Sequence, residues 1–360
     1  MTALAQTITG SIQHDGIERN YRLYVPANLP QGTPPPLVFN LHGFTSNAQQ
    51  QELYSDMNAV ADTAGFIVCY PDAVGNAWNI GVAGGSTTDD VGFIAALIDK
   101  FHQEQGIDLE RVYSCGMSNG GFFSYRLACE MGDRIAAIAS VTGSMTTAML
   151  SGCTPQRPTP VMAIHGDADP VVDYNGAMGN AAVPDVFNFW VGHNGCLQPG
   201  NNGDIPNIAT NDQCTASFES YYACTNLAEV ILITIQNGGH TWPGAFPTFL
   251  FGPTCQDFNA SREIWVFFSR HRLDLTSATV GATPTQMGAQ VFPTPFGDNL
   301  NLEQTEGNTA RQVRIFDAMG RSIWQGEPTT TIDTFLWPKG VYFVVFELES
   351  GMVIRRTVKA

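Results

Sequence analysis

"VYSCGMSNGGFF", residues 112–123, runs an apolar, strand-like stretch into a serine framed by glycines and straight on into a helix-like stretch. A serine on so tight a strand-to-helix corner is held in a strained conformation with its hydroxyl above the sheet. A side chain at either framing glycine would collide with neighbouring backbone. Gly116-Met117-Ser118-Asn119-Gly120 therefore reads as a nucleophile elbow. Ser118 is the candidate nucleophile, and the amide of Asn119, at a helix N-terminus, is one candidate donor to an oxyanion.

Outward from this corner the pattern alternates, from Asn20 to about Arg272, between short apolar runs and longer stretches of helical period. The runs "PLVFNLH", "FIVCYP", "RVYSCG", "AAIASVTG", "PVMAIHG" and "EVILITI" are apolar on both faces, as strands buried between two helix layers must be. Helices fit "AQQQELYSDMNAVADTA", "DDVGFIAALIDKFHQEQ", "NGGFFSYRLACEMG" and "SREIWVFFSRHR". "ITGSIQHDG" and "NYRLYVP" alternate instead about an Asp15-Gly16 turn, an antiparallel hairpin at the sheet edge. The expected class is α/β, with a mostly parallel central sheet.

After "SRHRLDL" the composition changes to the small, aperiodic "TSATVGATPTQ", a linker. Beyond it "QVRIFDAMGRSIWQ", "GVYFVVFELES" and "MVIRRTVK" alternate at period two around turns, predicting a small all-β sandwich. The expected division is a remnant of an export signal at 1–6, a catalytic domain at 7–272, a linker at 273–289 and the β-sandwich at 290–360. The remnant is read from Ala3-Leu4-Ala5, a small-x-small pattern of the kind signal peptidase cleaves.

A serine hydroxyl is inert near neutral pH without a base, so the elbow demands a histidine and a carboxylate on later strand ends. His240, after the glycine pair that ends "EVILITIQNGGHTWPG", follows the serine on a strand-end loop. His42 and His165 each precede a glycine at a strand end and read as loop braces; His14, His102, His193 and His271 lie in polar or helical contexts. Asp167, Asp169 and Asp173 in "PVMAIHGDADPVVDY" all follow a buried strand, and spacing does not choose among them. The second oxyanion donor is the amide of Phe44 in "FNLHGFTSNA".

Composition excludes other classes. With 33 acidic against 17 basic side chains and a formal charge of -16, phosphate backbones and anionic membranes are repelled, so nucleic acid is not an expected partner. No apolar run approaches the roughly 20 residues needed to cross a bilayer. The eight cysteines show no CxxC or Cys/His metal spacing and point to disulfides: Cys129 with Cys153, and Cys196 with Cys214 or Cys224, while Cys69 and Cys115 read as buried thiols. "GNNGDIPNIATNDQ" lacks the alternation of a calcium loop and reads as a solvated insertion, so no metal is assigned.

"LHGFTSNA", "WNIG", "DDVGFIAALID", "RVYSCGMSNGGFFSYRLACE", "IHGDADPVV" and "GGHTWPG" together resemble the secreted esterases grouped with poly(3-hydroxybutyrate) depolymerases and family 1 carbohydrate esterases, across roughly Thr7 to His271. The resemblance implies an α/β-hydrolase fold, a triad of Ser118, Asp169 and His240, an acyl-enzyme and no cofactor. Phe44 stands where many relatives have Cys. It implies a feruloyl or acetyl esterase on plant polysaccharide, with polyester depolymerase as the nearest alternative and a non-catalytic polysaccharide-binding protein as the rival from another class. Trp78 and Trp242 are the candidate walls of an aromatic acyl pocket. "VFPTPFGDNLNLE", "VRIFDAMGRSIWQ", "LWPKGVYFVVF" and "VIRRTVKA" resemble the C-terminal sorting domain of type IX secretion, with Thr294 in place of the usual Asn. That implies the secretion machinery as a partner and a secreted or cell-surface protein.

Overall fold

The computed structural model describes residues 5–29, 32–82, 85–197, 200–222, 224–247 and 250–273, and then 289–292, 296–304, 310–317, 322–327, 331–338, 340–348 and 351–359. Most of the expected linker and the first four residues of the expected signal remnant lie outside them. The chain divides into two compact units, Met1–Leu275 and Thr276–Ala360.

The first unit holds ten strands: β1 (Gln6–His14), β2 (Ile17–Val25), β3 (Leu37–Leu41), β4 (Ile67–Pro71), β5 (Val112–Met117), β6 (Ala137–Val141), β7 (Val161–Gly166), β8 (Asn201–Ile205), β9 (Thr215–Tyr221) and β10 (Val230–Gln236). Its helices are α1 (Ala48–Ser55), α2 (Met57–Ala64), α3 (Asp90–Gln105), α4 (Asn119–Glu130), α5 (Thr147–Gly152), α6 (Val183–His193) and α7 (Ala260–Phe268). One sheet joins the strands in the order β1-β2-β4-β3-β5-β6-β7-β10-β9-β8. The run from β4 to β10 is parallel and both margins are antiparallel. This is the α/β-hydrolase arrangement, with Ser118 immediately after the central strand β5.

β3, β4, β6 and β7 are buried at every position because each face carries its own apolar layer. Phe93, Leu97, Phe123, Leu127 and Trp190 pack on one face. Met57, Ala61, Ile264, Phe267 and Phe268 pack on the other. Each of the larger aliphatic and phenylalanine side chains contributes about 1.5–3 kcal/mol by leaving water.

Two local features depart from the sequence reading. The single helix expected over "AQQQELYSDMNAVADTA" breaks at Asp56, whose φ is 49°. There the Ser55 carbonyl accepts from the Ser261 hydroxyl of α7 (2.6 Å), and Asn40 Nδ2 donates to Ser55 Oγ (2.9 Å), so tertiary bonds pin the break. The expected solvated insertion opens as edge strand β8, whose weak strand formers are held by the ladder to β9. The disulfides follow the sequence reading: Cys129 pairs with Cys153, and of the two partners left open for Cys196 it is Cys224 that bonds. Cys69 and Cys115 are buried thiols, and burial raises the pKa of both.

The second unit is all β. A three-stranded antiparallel sheet joins β11 (Ala289–Phe292), β12 (Asn299–Gln304) and β15 (Thr331–Asp333), while a four-stranded one has the order β14-β13-β16-β17, from β13 (Ala310–Asp317), β14 (Ser322–Gly326), β16 (Gly340–Leu348) and β17 (Gly351–Lys359). Leu300, Val313, Ile315, Ile332, Val344 and Phe346 form its core, and Phe296, Trp337 and Tyr342 pack ring against ring. No helix among the described residues is long and apolar enough to cross a membrane.

Candidate active site

The corner forms as its glycines require. β5 ends at Met117, α4 begins at Asn119, and Ser118 between them takes φ 53° and ψ -121°, a conformation costly for any residue with a Cβ. Space is equally restricted: a Cβ on Gly116 would lie 2.6 Å from the Gly120 carbonyl carbon, and one on Gly120 would strike the Leu41 carbonyl. The Ser118 N–H donates to Val141 O at 2.8 Å and its C=O accepts from Phe122 at 2.9 Å, fixing the corner between β6 and α4.

Adjacent parallel strands β7 and β10 carry the other two groups. His240 Nδ1 donates to Asp169 Oδ2 at 2.7 Å, and both residues are buried. Asp169 Oδ1 accepts the Val171 and Val172 N–H groups at 2.8 and 2.9 Å. Burial pushes the Asp169 carboxyl up, but His240 and the two amides outweigh it and hold the pKa below the ordinary carboxylate value. The neighbouring candidates do other work: Asp167 accepts from Asn237 N and Asp173 from Asn175 N, and both are exposed. His240 also donates its backbone N–H to Phe251 O at 2.7 Å. Ser118 and His240 are not hydrogen-bonded to each other among the described residues, as is common before a substrate aligns them.

No acceptor among the described residues takes the N–H of Phe44 or of Asn119. A bonded network positions the two amides. His42 Nε2 accepts from Ala73 N (3.1 Å), which leaves Nδ1–H to donate to Gly43 O (2.8 Å); burial lowers the His42 pKa and favours this neutral ring. Trp78 Nε1 donates to His42 O (3.0 Å), Asn119 Oδ1 accepts from Trp78 N (2.6 Å), and the indole stacks on Phe123 at 5.0 Å.

This corrects the expected role of the tryptophans. Trp78 is 1% exposed and Trp242 0%, so neither presents a face to a ligand. Trp78 ties residues 42–44 to the elbow, and Trp242 is held beneath its loop by Ser261 Oγ (3.1 Å) and the Tyr54 hydroxyl (3.3 Å). Among the described residues, the exposed aromatics beside the site are phenylalanines. Phe251 is 45% exposed with its ring 6.3 Å from the His240 ring, and Phe44 is 64% exposed, next to Gly43, whose Cβ direction points at Ser118 Cβ. Phe246, 65% exposed, packs edge-on against Tyr54 at 5.3 Å.

Residues 19–220 match the family model described as Esterase PHB depolymerase. The chain belongs to the PHB depolymerase esterase family. It is a carboxylic ester hydrolase. Among curated relatives of this esterase, NocK of Nocardia uniformis subsp. tsuyamanensis, named as an esterase, is 32% identical over 69% of this chain and 77% of its own. The bifunctional acetylxylan esterase/xylanase XynS20E of Neocallimastix patriciarum is 31% identical over 48% of this chain, and feruloyl esterase B of Piromyces equi is 30% identical over 57%. The match spans only 25% and 39% of those two longer proteins. Among solved structures, the acetyl xylan esterase from Aspergillus awamori is 17% identical, with a TM-score of 0.47 over 65% of this chain and 94% of that one. Residues 290–360 match the secretion system C-terminal sorting domain, so the esterase is secreted or held at the cell surface.

Proposed function

We propose that Ser118, Asp169 and His240 form the catalytic triad of this esterase, and that its substrate is a feruloyl or acetyl ester on plant polysaccharide. His240 takes the Ser118 proton through Nε2 as the hydroxyl attacks the ester carbonyl. Asp169 holds the tautomer that leaves Nε2 free and stabilises the imidazolium. The Phe44 and Asn119 amides receive the tetrahedral oxyanion, the alcohol departs with the proton from His240, and water resolves the acyl-enzyme by the same path. The observation that carries the reading is the 2.7 Å Asp169–His240 bond on strand ends of the same sheet whose central strand leads into a serine at φ 53°.

Exposed Phe44 and Phe251 support an aromatic acyl group over acetyl, because a planar ring stacks on such faces and a methyl does not. The same apolar rim fits a polyester chain, which the family's description also names, so that reading stands second. The sorting domain, on this reading, delivers the enzyme through the type IX machinery and takes no part in catalysis.

Initial rates on methyl ferulate, acetylated xylan and a hydroxybutyrate polyester, each blanked with Ser118→Ala, separate these. A preference for ferulate that Phe251→Ala lowers several-fold supports the first reading. Turnover confined to the polyester replaces it with the second, and no turnover above the blank on any of the three refutes the triad with this substrate range.

A further inference from the structure

We infer that His165 is a positioning residue for the hydrolysis, the strut that holds the Asp169 carboxylate toward His240; the inference rests on the proposed triad. His165 lies one residue before the end of β7, is 1% exposed, and has no part in the proton transfers. Its Nε2 is 2.8 Å from Val172 O. A carbonyl only accepts, so Nε2 carries the proton, and Asp169 Oδ2 lies 3.4 Å from that same nitrogen. Val172 in turn donates its N–H to Asp169 Oδ1 at 2.9 Å. One imidazole thus closes the loop that carries the acid: it fixes Val172 from the carbonyl side while Val172 fixes the carboxylate from the amide side. Asp169 Oδ2 is left pointing at His240 Nδ1.

A brace of this kind is expensive if packing is its only use. His165 Nδ1 is buried without a well-aligned hydrogen bond among the described residues, the Gly143 carbonyl being only a weak partner, and an apolar side chain would fill the space without stranding it. The groups that face the ring are Asp169, the Val172 carbonyl, the Tyr174 ring at 6.0 Å, the charge of His240 and the Gly143 carbonyl, which is a weak backbone acceptor for the ring. Burial lowers the His165 pKa, and the opposing pull of the Val172 carbonyl, Asp169 and the Gly143 carbonyl does not overcome it. A neutral ring leaves the Asp169 charge to His240, whereas a second imidazolium would compete for it.

The test compares His165→Leu, which removes the donor, with His165→Gln, whose side-chain N–H can reach Val172 O, in the full chain on 4-nitrophenyl acetate. Thermal midpoints are measured on each protein, and Asp169→Asn and Ser118→Ala are run alongside. His165→Leu is expected to lower kcat about tenfold or more with KM within about twofold, because a small misplacement of a catalytic group suffices for such losses. The acid limb of its rate profile should move to lower pH by about half a unit, as a carboxylate turned away stabilises the imidazolium less. His165→Gln should return kcat to within about threefold of the parent. Should the leucine variant not fold, His165→Asn replaces it, its amide being too short to reach Val172 O. A kcat within threefold of the parent in the variants lacking the donor, or a glutamine variant no better than they are, overturns the positioning role. Full activity in Asp169→Asn overturns the acid assignment, and the positioning role with it.

Discussion

Replacing Asp169 by Asn removes one charge and almost no volume, and the surrounding hydrogen-bond geometry dictates the outcome. The groups around the carboxylate are all donors: Val171 N–H and Val172 N–H at Oδ1, and His240 Nδ1–H with, farther off at 3.4 Å, His165 Nε2–H at Oδ2. An amide has one acceptor end. Turning its NH2 toward Oδ1's position would set it against two backbone donors within 2.9 Å, whereas at Oδ2's position the one close donor is His240, which can move its proton, and His165 Nε2–H lies farther off at 3.4 Å. The amide therefore donates to His240 Nδ1, and the imidazole shifts its proton to Nε2, where it can no longer accept from Ser118. By the behaviour of such triads this wrong tautomer lowers kcat about 10³- to 10⁴-fold, roughly 4–5.5 kcal/mol of transition-state stabilisation. KM should change little. The assay is steady-state hydrolysis of a soluble ester, with the Ser118→Ala blank subtracted and thermal midpoints compared. A loss of less than about tenfold in a folded Asp169→Asn protein would refute the reasoning.

Three further perturbations probe the elbow, a buried ion pair and the base. Gly120→Ala places a Cβ against the Leu41 carbonyl and should destabilise the fold by about 2–3 kcal/mol; an unchanged denaturant midpoint would contradict the packing described for the elbow. Burial pushes the Glu229 carboxyl up, but Arg270 (2.6 Å) and His271 outweigh it and bring the pKa to about 2 from 4.5. Because the folded value is depressed, that stability is present above about pH 4.5 and lost as pH falls toward 2, amounting to about 3 kcal/mol. Glu229→Gln should accordingly flatten the acid side of a stability–pH curve, and an unaltered slope would rule this pair out as its source. Turnover should rise with pH from the acid side, because only a neutral imidazole can take the serine proton, and a profile flat from acid to neutral pH would exclude such a base.

The parts of the fold and site legible in the sequence are those set by local collisions and by period. The glycines around Ser118 are read correctly from the chain because the contacts they avoid, with Leu41 and with the turn itself, arise from the corner being tight. The doubly buried strands show as unbroken apolar runs for the same kind of reason. Val183, Val186, Phe187, Trp190 and Val191 of α6 are spaced as one helix face behind Pro184, a signal present in the sequence that the four expected helices do not include. The choice among three aspartates is of another kind. It depends on Val171 and Val172 turning their amides onto one carboxylate, which no spacing in "HGDADPVVDY" encodes. Burial of loop aromatics is likewise a tertiary outcome. Trp78 and Trp242 sink because their indole N–H groups find His42 O and Ser261 Oγ, while Phe44 and Phe251 are left at the surface beside the site.

Hydrolysis by the proposed route requires that Ser118 carry the acyl group. Intact-protein and peptide mass spectrometry on enzyme quenched during turnover of an activated ester measures this directly, with Ser118→Ala treated identically. The expected result is an acyl adduct confined to the peptide holding residues 112–123, with neither adduct nor turnover in the variant. Turnover in folded Ser118→Ala within a few-fold of the parent, or an adduct on another side chain, would contradict it.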